Sequence, residues 1–346
     1  MKKIAVVLFN LGGPDSPEAV KPFLLNLFND PAIIQLPAPW RPIVARLIAA
    51  KREKIAAAIY TKIGGRSPIL ENTKAQAAAL KEKLASNGEF RCFVSMRYWR
   101  PFAEETAQAV KDFAPDEIVL LPLYPQFSTT TTASSFKSWV EAARSIGLDV
   151  PTKKICCYPG DAGFIRSLAQ STRAIYEKAK PYGKPRLLFS AHGLPEKIVK
   201  NGDPYQFQCE YTVTALVKEL SIPSLDWVLC YQSRVGPLTW IGPSTDEEII
   251  RAGRDKVPAT IVPIGFVSEH SETLFEIDIL YRELAARSGV PYFDRVATVG
   301  TADAFIEGLA ELVQRTLGEA GNESSRVRLC PSGFSGCYQR KQTHAP

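Results

Sequence analysis

The sequence predicts an α/β protein of two similar lobes, each a parallel sheet flanked by helices, with a central cleft. Three observations carry this. Short apolar runs alternate with amphipathic stretches, the pattern of βαβ units. The chain has 346 residues, and at roughly 150 residues per domain that favours two domains. The halves also share a faint internal repeat. IAVVLFNLGGP resembles RLLFSAHGLP, FVSMRYW resembles LCYQSRVGP, and VLLPLYPQFSTTTT resembles TIVPIGFVSEHSETL, all in the same order. Pro122 then matches Pro263, and Ser128 matches Ser268. The lobes are expected at 1–150 and 151–317, with a tail at 318–346.

The first strand is expected at 4–9. Two lysines precede it, as in a signal peptide, but the apolar run stops at Asn10-Leu11-Gly12-Gly13-Pro14 and no small-residue cleavage site follows. The chain is therefore expected in the cytoplasm. Further strands are predicted at 90–95, 117–123, 153–157, 186–190, 226–231 and 259–266. Helices are predicted between them at 16–29, 42–63, 67–86, 102–113, 134–145, 163–182, 204–220, 245–252, 271–288 and 302–317. Ser67-Pro68 and Thr245-Asp246-Glu247-Glu248 place hydrogen-bond acceptors and acids where a helix starts. From Gly318 the tail is rich in Gly, Asn and Ser and then carries two cysteines.

Composition narrows the function. Hydrophobic residues make up 45% and charged residues 23%, ordinary globular usage that excludes disorder, collagen and coiled coil. Mean hydropathy is −0.07, and no apolar run approaches the roughly 18 residues that span a bilayer. The net charge of +6 is spread along the chain with no Lys/Arg block, so nucleic acid is not an expected partner. Seven cysteines are odd in number and lack a Cys-x-x-Cys pair, as expected of thiols in a reducing compartment. Only His192, His270 and His344 could supply imidazole chemistry.

His192 follows a strand directly, and His270 holds the same relative place in the other half. Strand-end loops are where α/β folds present functional groups, although a histidine there can also cap a turn. His344, near the C-terminus, is expected to be solvated. Glu269, Glu272 and Glu276 stand beside His270, and a helix starting near Ser271 carries Glu272 and Glu276 on one face. Such acids suit the helix dipole; they equally suit a file of carboxylates that binds a cation or passes protons. His with carboxylate fits a divalent transition metal or a proton acceptor. Other strand ends supply Arg97, Tyr98 and Trp99; Tyr124, Gln126, Ser128 and Thr129–Thr132; and Ser233, Arg234 and Trp240. Arg with Tyr and Trp suits a flat aromatic ligand bearing carboxylates. Each of these could also be core packing or a surface ion pair.

The segment 35–65 differs in character. It mixes Trp40, Ile43, Val44, Leu47, Ile48 and Ile59 with basic residues at Arg41, Arg46, Lys51, Arg52, Lys54 and Lys62. A basic amphipathic helix of this kind could touch the anionic inner face of a membrane, or pack on its own lobe with a solvated basic face.

LLFSAHGLPEKIVKNGDPY, from Leu187 to Tyr205, resembles the ferrochelatase signature. NLGGP (10–14), FLLNLFND (23–30), IGGRSPI (63–69), LYPQFSTTTT (123–132), QSRVGPLTWIGPSTDE (232–247) and VSEHSETLFEID (267–278) resemble other blocks of the bacterial type of that family. The resemblance is collinear over about residues 3–315. It implies a chelatase-like fold of two Rossmann-like lobes and insertion of Fe²⁺ into protoporphyrin IX, releasing two protons and forming protohaem. It further implies His192 as proton acceptor or metal ligand, Glu272 as the carboxylate acting with it, and Glu276 as the next acid. Leu280 stands where some relatives have a third acid. Arg97, Tyr98, Tyr124, Ser128 and Trp240 match porphyrin-pocket positions. Some relatives carry a [2Fe-2S] cluster, for which Cys330, Cys337 and the internal Cys156 and Cys157 are the candidates here; a third C-terminal cysteine is missing. Alternatives are a chelatase for coproporphyrin or for cobalt or nickel, and a non-catalytic haem or metal carrier.

Overall fold

The computed structural model describes residues 2–234, 236, 238–319 and 328–339; His344 lies outside them. The chain divides into two compact units. One comprises Met1–Tyr124, Ser128–Cys156 and Leu309–Val327, the other Pro125–Phe127, Cys157–Gly308 and Arg328–Pro346.

The first unit is built on four parallel strands, β1 (Lys3–Asn10), β2 (Glu89–Met96), β3 (Glu117–Pro122) and β4 (Thr152–Lys154), in the order β2-β1-β3-β4. Every residue of 4–9 and of β3 is buried. That is why these strands read as continuous apolar runs rather than alternating ones, since a parallel sheet covered on both faces has no wet side. Helices α1 (Val20–Phe28), α2 (Arg41–Lys62), α3 (Ile69–Leu84), α4 (Ala103–Phe113) and α5 (Thr132–Ser145) surround it. α1 and α2 share a cluster of Val20, Phe23, Leu24, Ala49, Tyr60 and Tyr98. The strand expected at 153–157 pairs over only three residues, as suits the short edge of a sheet.

The second unit repeats the plan. Its strands β5 (Arg186–His192), β6 (Asp226–Gln232), β7 (Ala259–Pro263) and β8 (Phe293–Arg295) lie parallel in the order β6-β5-β7-β8. The repeated segments thus occupy equivalent places: β1 and β5 second, β2 and β6 first, β3 and β7 third. The register agrees as well. Phe9 pairs with Pro122 as Ser190 pairs with Pro263, and Phe9 matches Ser190 when the GGP and GLP turns are aligned. The strand expected to reach 266 ends at this proline, which has no N–H to continue a ladder. β8 is too short to carry a period.

Helices α6 (Ala162–Ala179), α7 (Glu196–Lys200), α8 (Tyr205–Leu220), α9 (Thr245–Asp255), α10 (Arg282–Ser288) and α11 (Asp303–Gly318) complete the order. α9 opens on a capping box: Ser244 Oγ accepts from Glu247 N at 3.2 Å and Glu247 Oε2 accepts from Ser244 N at 2.9 Å. The helix expected over 271–288 departs from expectation. Its first part, Glu272–Tyr281, is a π-helix with i→i+5 bonds, and only Arg282–Ser288 is α. Its inner face packs Ile277, Tyr281 and Ala285 against Leu188, Cys230 and Ile261 of the sheet.

Candidate active site

His192 is the last residue of β5 and the only one of that strand that is not buried. The next residue must be glycine, because a Cβ on Gly193 would sit 2.9 Å from the Gln232 carbonyl oxygen. That close approach also lets Gly193 N donate to Gln232 O at 2.7 Å. The turn brings the Gly193 carbonyl within 2.6 Å of His192 Nδ1. Nδ1–H donates there, so in the neutral ring Nε2 carries the lone pair. Nε2 lies 3.5 Å from Glu272 Oε1.

His270 is buried and approaches the other oxygen of the same carboxylate, its Nε2 3.5 Å from Glu272 Oε2. Its Nδ1–H donates to Ser268 O at 3.0 Å. Burial favours the neutral ring, but the hydrogen bond and charge of Glu272, with the Ser268 carbonyl, outweigh it and raise the His270 pKa. Glu272 therefore stands between two imidazoles. Burial opposes its ionisation, yet the charges of His192 and His270 prevail and hold its carboxyl at about 2.

Glu276 is shifted the other way. Burial and the neighbouring charge of Glu272 raise its pKa, against donors from Ser233 and Gln232. Ser233 N donates to its Oε1 at 2.9 Å, Tyr281 OH donates to the same oxygen at 3.1 Å, and Gln232 Nε2 donates to Oε2 at 3.1 Å. Ser233 reaches it by adopting φ of +61°, an uncommon conformation for a residue with a side chain. Gln232 also donates to the Glu272 carbonyl at 3.3 Å, so one amide links the two acids across the π-helical turn. π-helical turns are rare and gather at functional sites. The two neighbouring carboxylates are thus pushed in opposite directions.

Glu269 is engaged elsewhere. Its Oε1 accepts from Arg295 Nη1 and from Thr298 N, both at 2.9 Å, and Arg295 also donates to both oxygens of Asp278, at 2.8 and 2.7 Å. Gln126 is buried in the second unit, donating to Thr212 Oγ1 at 2.9 Å and to Ile264 O at 3.1 Å. Trp240 lies against the His192 turn: it bridges Pro195 antiparallel, and its ring would meet a Cβ on Gly193 at 3.2 Å. Its Nε1 is buried with no hydrogen-bond partner among the described residues. Leu280 is exposed.

In the first unit, Arg97 and Tyr98 follow β2 and are fixed by backbone bonds from their amides to Asn10 O and Leu11 O, each 2.9 Å. Both side chains converge on Asp30, a residue the sequence reading did not single out. Asp30 Oδ2 accepts from Arg97 Nη2 at 2.7 Å, from Tyr98 OH at 2.9 Å and from Ser134 Oγ at 2.5 Å. Arg97 Nε also donates to Ser134 Oγ at 2.7 Å. A clue was present in the sequence: Asp30 ends the apolar helix α1, where the dipole disfavours an anion unless a cation is close. Burial and the Asp30 charge push the Tyr98 pKa well up, and burial does the same to Tyr124. Ser128 is buried and its hydroxyl lies 2.8 Å from Thr130 Oγ1, in the turn that leads into α5.

The thiols expected for a cluster are placed as follows. Gln208 Nε2 donates to Cys157 Sγ at 3.4 Å and to Cys330 Sγ at 3.2 Å. The hydrogen bond with Cys337, together with burial, pushes the Cys330 thiol up. No three or more His, Cys, Asp or Glu side chains among the described residues are grouped to hold a metal ion. As placed, Cys156, Cys157, Cys330 and Cys337 are not grouped as a four-thiolate site.

The chain is 51% identical to the ferrochelatase of Caulobacter vibrioides (strain NA1000 / CB15N) over 349 residues, 99% of each chain. It is 53% identical to that of a Wolbachia of Drosophila simulans over 314 residues, 90% of this chain and 98% of the relative. Among solved structures, SirB from Bacillus subtilis with Fe³⁺ shares the fold at a TM-score of 0.54 and 15% identity, covering 92% of this chain and 96% of that one. The sirohydrochlorin chelatase SirB in complex with cobalt matches at 0.53 and 13%, covering 91% and 95%. With residues 3–317 matching the ferrochelatase family model, the chain belongs to the ferrochelatase family.

Proposed function

We propose that this ferrochelatase, which inserts iron into protoporphyrin in haem biosynthesis, works with His192, Glu272 and Glu276 in three distinct roles. The placement of Glu272 between His192 and His270, with Gln232 linking it to Glu276, carries the reading, and the opposed shifts of the two carboxylates accord with it. Metal insertion must remove two pyrrole protons and receive a cation. His192 Nε2, with its tautomer fixed by Gly193, takes a pyrrole proton. Glu272 stays ionised, steadies the resulting imidazolium and offers an oxygen to the incoming Fe²⁺. Glu276, whose pKa is raised, receives protons and passes them on. The metal is substrate, and a few donors in place of a closed cage suit an ion that must move into the ring. Arg97, Tyr98, Tyr124, Ser128 and Trp240 are the porphyrin contacts in this reading, with rings for stacking and the Trp240 Nε1–H as an uncommitted donor.

Glu276→Gln tests the proton role. The amide can still accept from Ser233 and Tyr281 but cannot take up a proton. kcat is expected to fall about a hundredfold with little change in KM for the porphyrin. The sign in stability is opposite. A buried acid with a raised pKa costs the folded state stability once pH exceeds its ordinary value of 4.5. The variant should therefore gain in Tm relative to the parent as pH rises from 4 to 7. An unchanged kcat removes Glu276 from the proton path.

The chain is also proposed to be cytoplasmic and to rest on the membrane's inner face through α2. No helix among the described residues is long and apolar enough to cross a membrane. Yet Trp40 is 63% exposed, Ile43 50% and Leu47 67%, on one side of a helix that also carries Arg41, Arg46 and Lys51. An apolar stripe with basic flanks suits an anionic lipid surface. Co-sedimentation with phosphatidylglycerol vesicles should be strong for the parent and largely lost for Trp40→Glu/Leu47→Glu. Equal binding by both overturns this contact.

A further inference from the structure

We propose that Asp30 sets substrate choice, by neutralising Arg97 so that the site prefers a porphyrin with two carboxylates over one with four. The proposal rests on the reading of Arg97 as a porphyrin contact. Asp30 is 4% exposed. Three side-chain donors, from Arg97, Tyr98 and Ser134, meet on its Oδ2, while Oδ1 accepts from Ala32 N at 2.8 Å. This is a carboxylate fully committed to its neighbours.

Its position is electrostatically demanding. It follows the C-terminus of α1, where the last carbonyls already present the negative end of the helix. The Arg97 guanidinium supplies the balancing charge, locked from the other side by Ser134. The Arg97 side chain keeps 23% of its surface exposed, so a ligand can approach a guanidinium whose charge is already answered. A free arginine at such a place would attract any further carboxylate. A paired one offers hydrogen bonds without net charge, and an added carboxylate would meet Asp30 as a like charge. Discrimination by refusing the wrong partner needs only such a device.

Binding of protoporphyrin IX and coproporphyrin III, followed by fluorescence titration, tests this on the full-length protein. Asp30→Asn keeps the acceptor oxygen and removes the charge. The ratio of affinities should move about tenfold toward coproporphyrin III, an effect that falls with added salt. Asp30→Asn/Arg97→Ala should return the ratio to the parent value. Ser134→Ala leaves both charges but loosens their pairing, and should move the ratio the same way by less; it serves if Asp30→Asn does not fold. If Arg97→Ala changes protoporphyrin affinity while neither Asp30→Asn nor Ser134→Ala moves the ratio, Asp30 does not set the choice. If Arg97→Ala changes neither affinity, Arg97 is no porphyrin contact and the proposal falls with that reading.

Discussion

His192→Ala is expected to lower iron insertion by about a thousandfold or more while leaving a folded protein that still binds porphyrin. The scale follows from removing the group that accepts a proton from the reacting nitrogen, where general base catalysis supplies roughly 10²–10⁴. His192 is partly exposed and sits at a strand end, so its loss opens no cavity in the core. The parent and the variant should therefore unfold at similar temperatures near neutral pH. An anaerobic Fe²⁺ insertion assay beside a porphyrin-quenching titration separates the two properties. Turnover within tenfold of the parent would show that another base takes the pyrrole proton. A second consequence reaches Glu272. With one of its two imidazoles gone, burial weighs more heavily, and its carboxyl pKa rises from about 2.

Glu272→Gln is expected to cost activity by about a hundredfold to a thousandfold, through loss of the anion that meets both imidazolium and metal. Its pH signature is more specific than its rate. Glu272 is depressed from 4.5 to about 2, so its contribution to stability is present above about 4.5 and fades as pH falls toward 2. His270 is raised from 6.5, so its contribution is complete below 6.5 and fades as pH climbs through the folded value. The two overlap between about pH 4.5 and 6.5. The difference in Tm between parent and Glu272→Gln should be largest in that window and shrink on both sides. NMR titration of His270 in the variant should show its pKa dropping, since burial then acts with less opposition. A Tm difference that does not vary with pH would detach the imidazoles from Glu272.

Much of the scaffold was legible because parallel strands buried on both faces have to be apolar throughout. β1, β3 and β5 stand out for that reason, and the turns after them are marked by Gly and Pro. β8 was not legible: three residues, two of them the charged Asp294 and Arg295, carry no period. The π-helix was not legible either. Glu272 and Glu276 have the spacing of neighbours on an α-helix, and nothing in that spacing marks the widened turn, whose Ile277 and Tyr281 pack on the sheet. At the site, His192, His270, Glu272 and Glu276 could be picked out because strand ends and titratable groups coincide. Of their supports, Ser233 was legible as a strand-end residue but not as a partner of Glu276, and Gln232 was not legible at all, since an amide has too many ordinary uses. Asp30 and Arg97 are 67 positions apart, and only the fold brings them together.

The shared strand order of the two sheets has an evolutionary reading. Two halves with the same order, the same prolines at the ends of their third strands and aligned turns are what duplication and fusion of one ancestral half would leave. The interior of such a copy is under one constraint, to remain apolar and parallel, and both copies obey it. Strand ends face no such demand and can drift apart. At the position where the second copy has His192, the first has Leu11. The imidazoles and carboxylates of the proposed proton path, His192, His270, Glu272 and Glu276, all lie in the second unit. The two sheets repeat one strand order, and the proposed proton chemistry uses the strand ends of only the second.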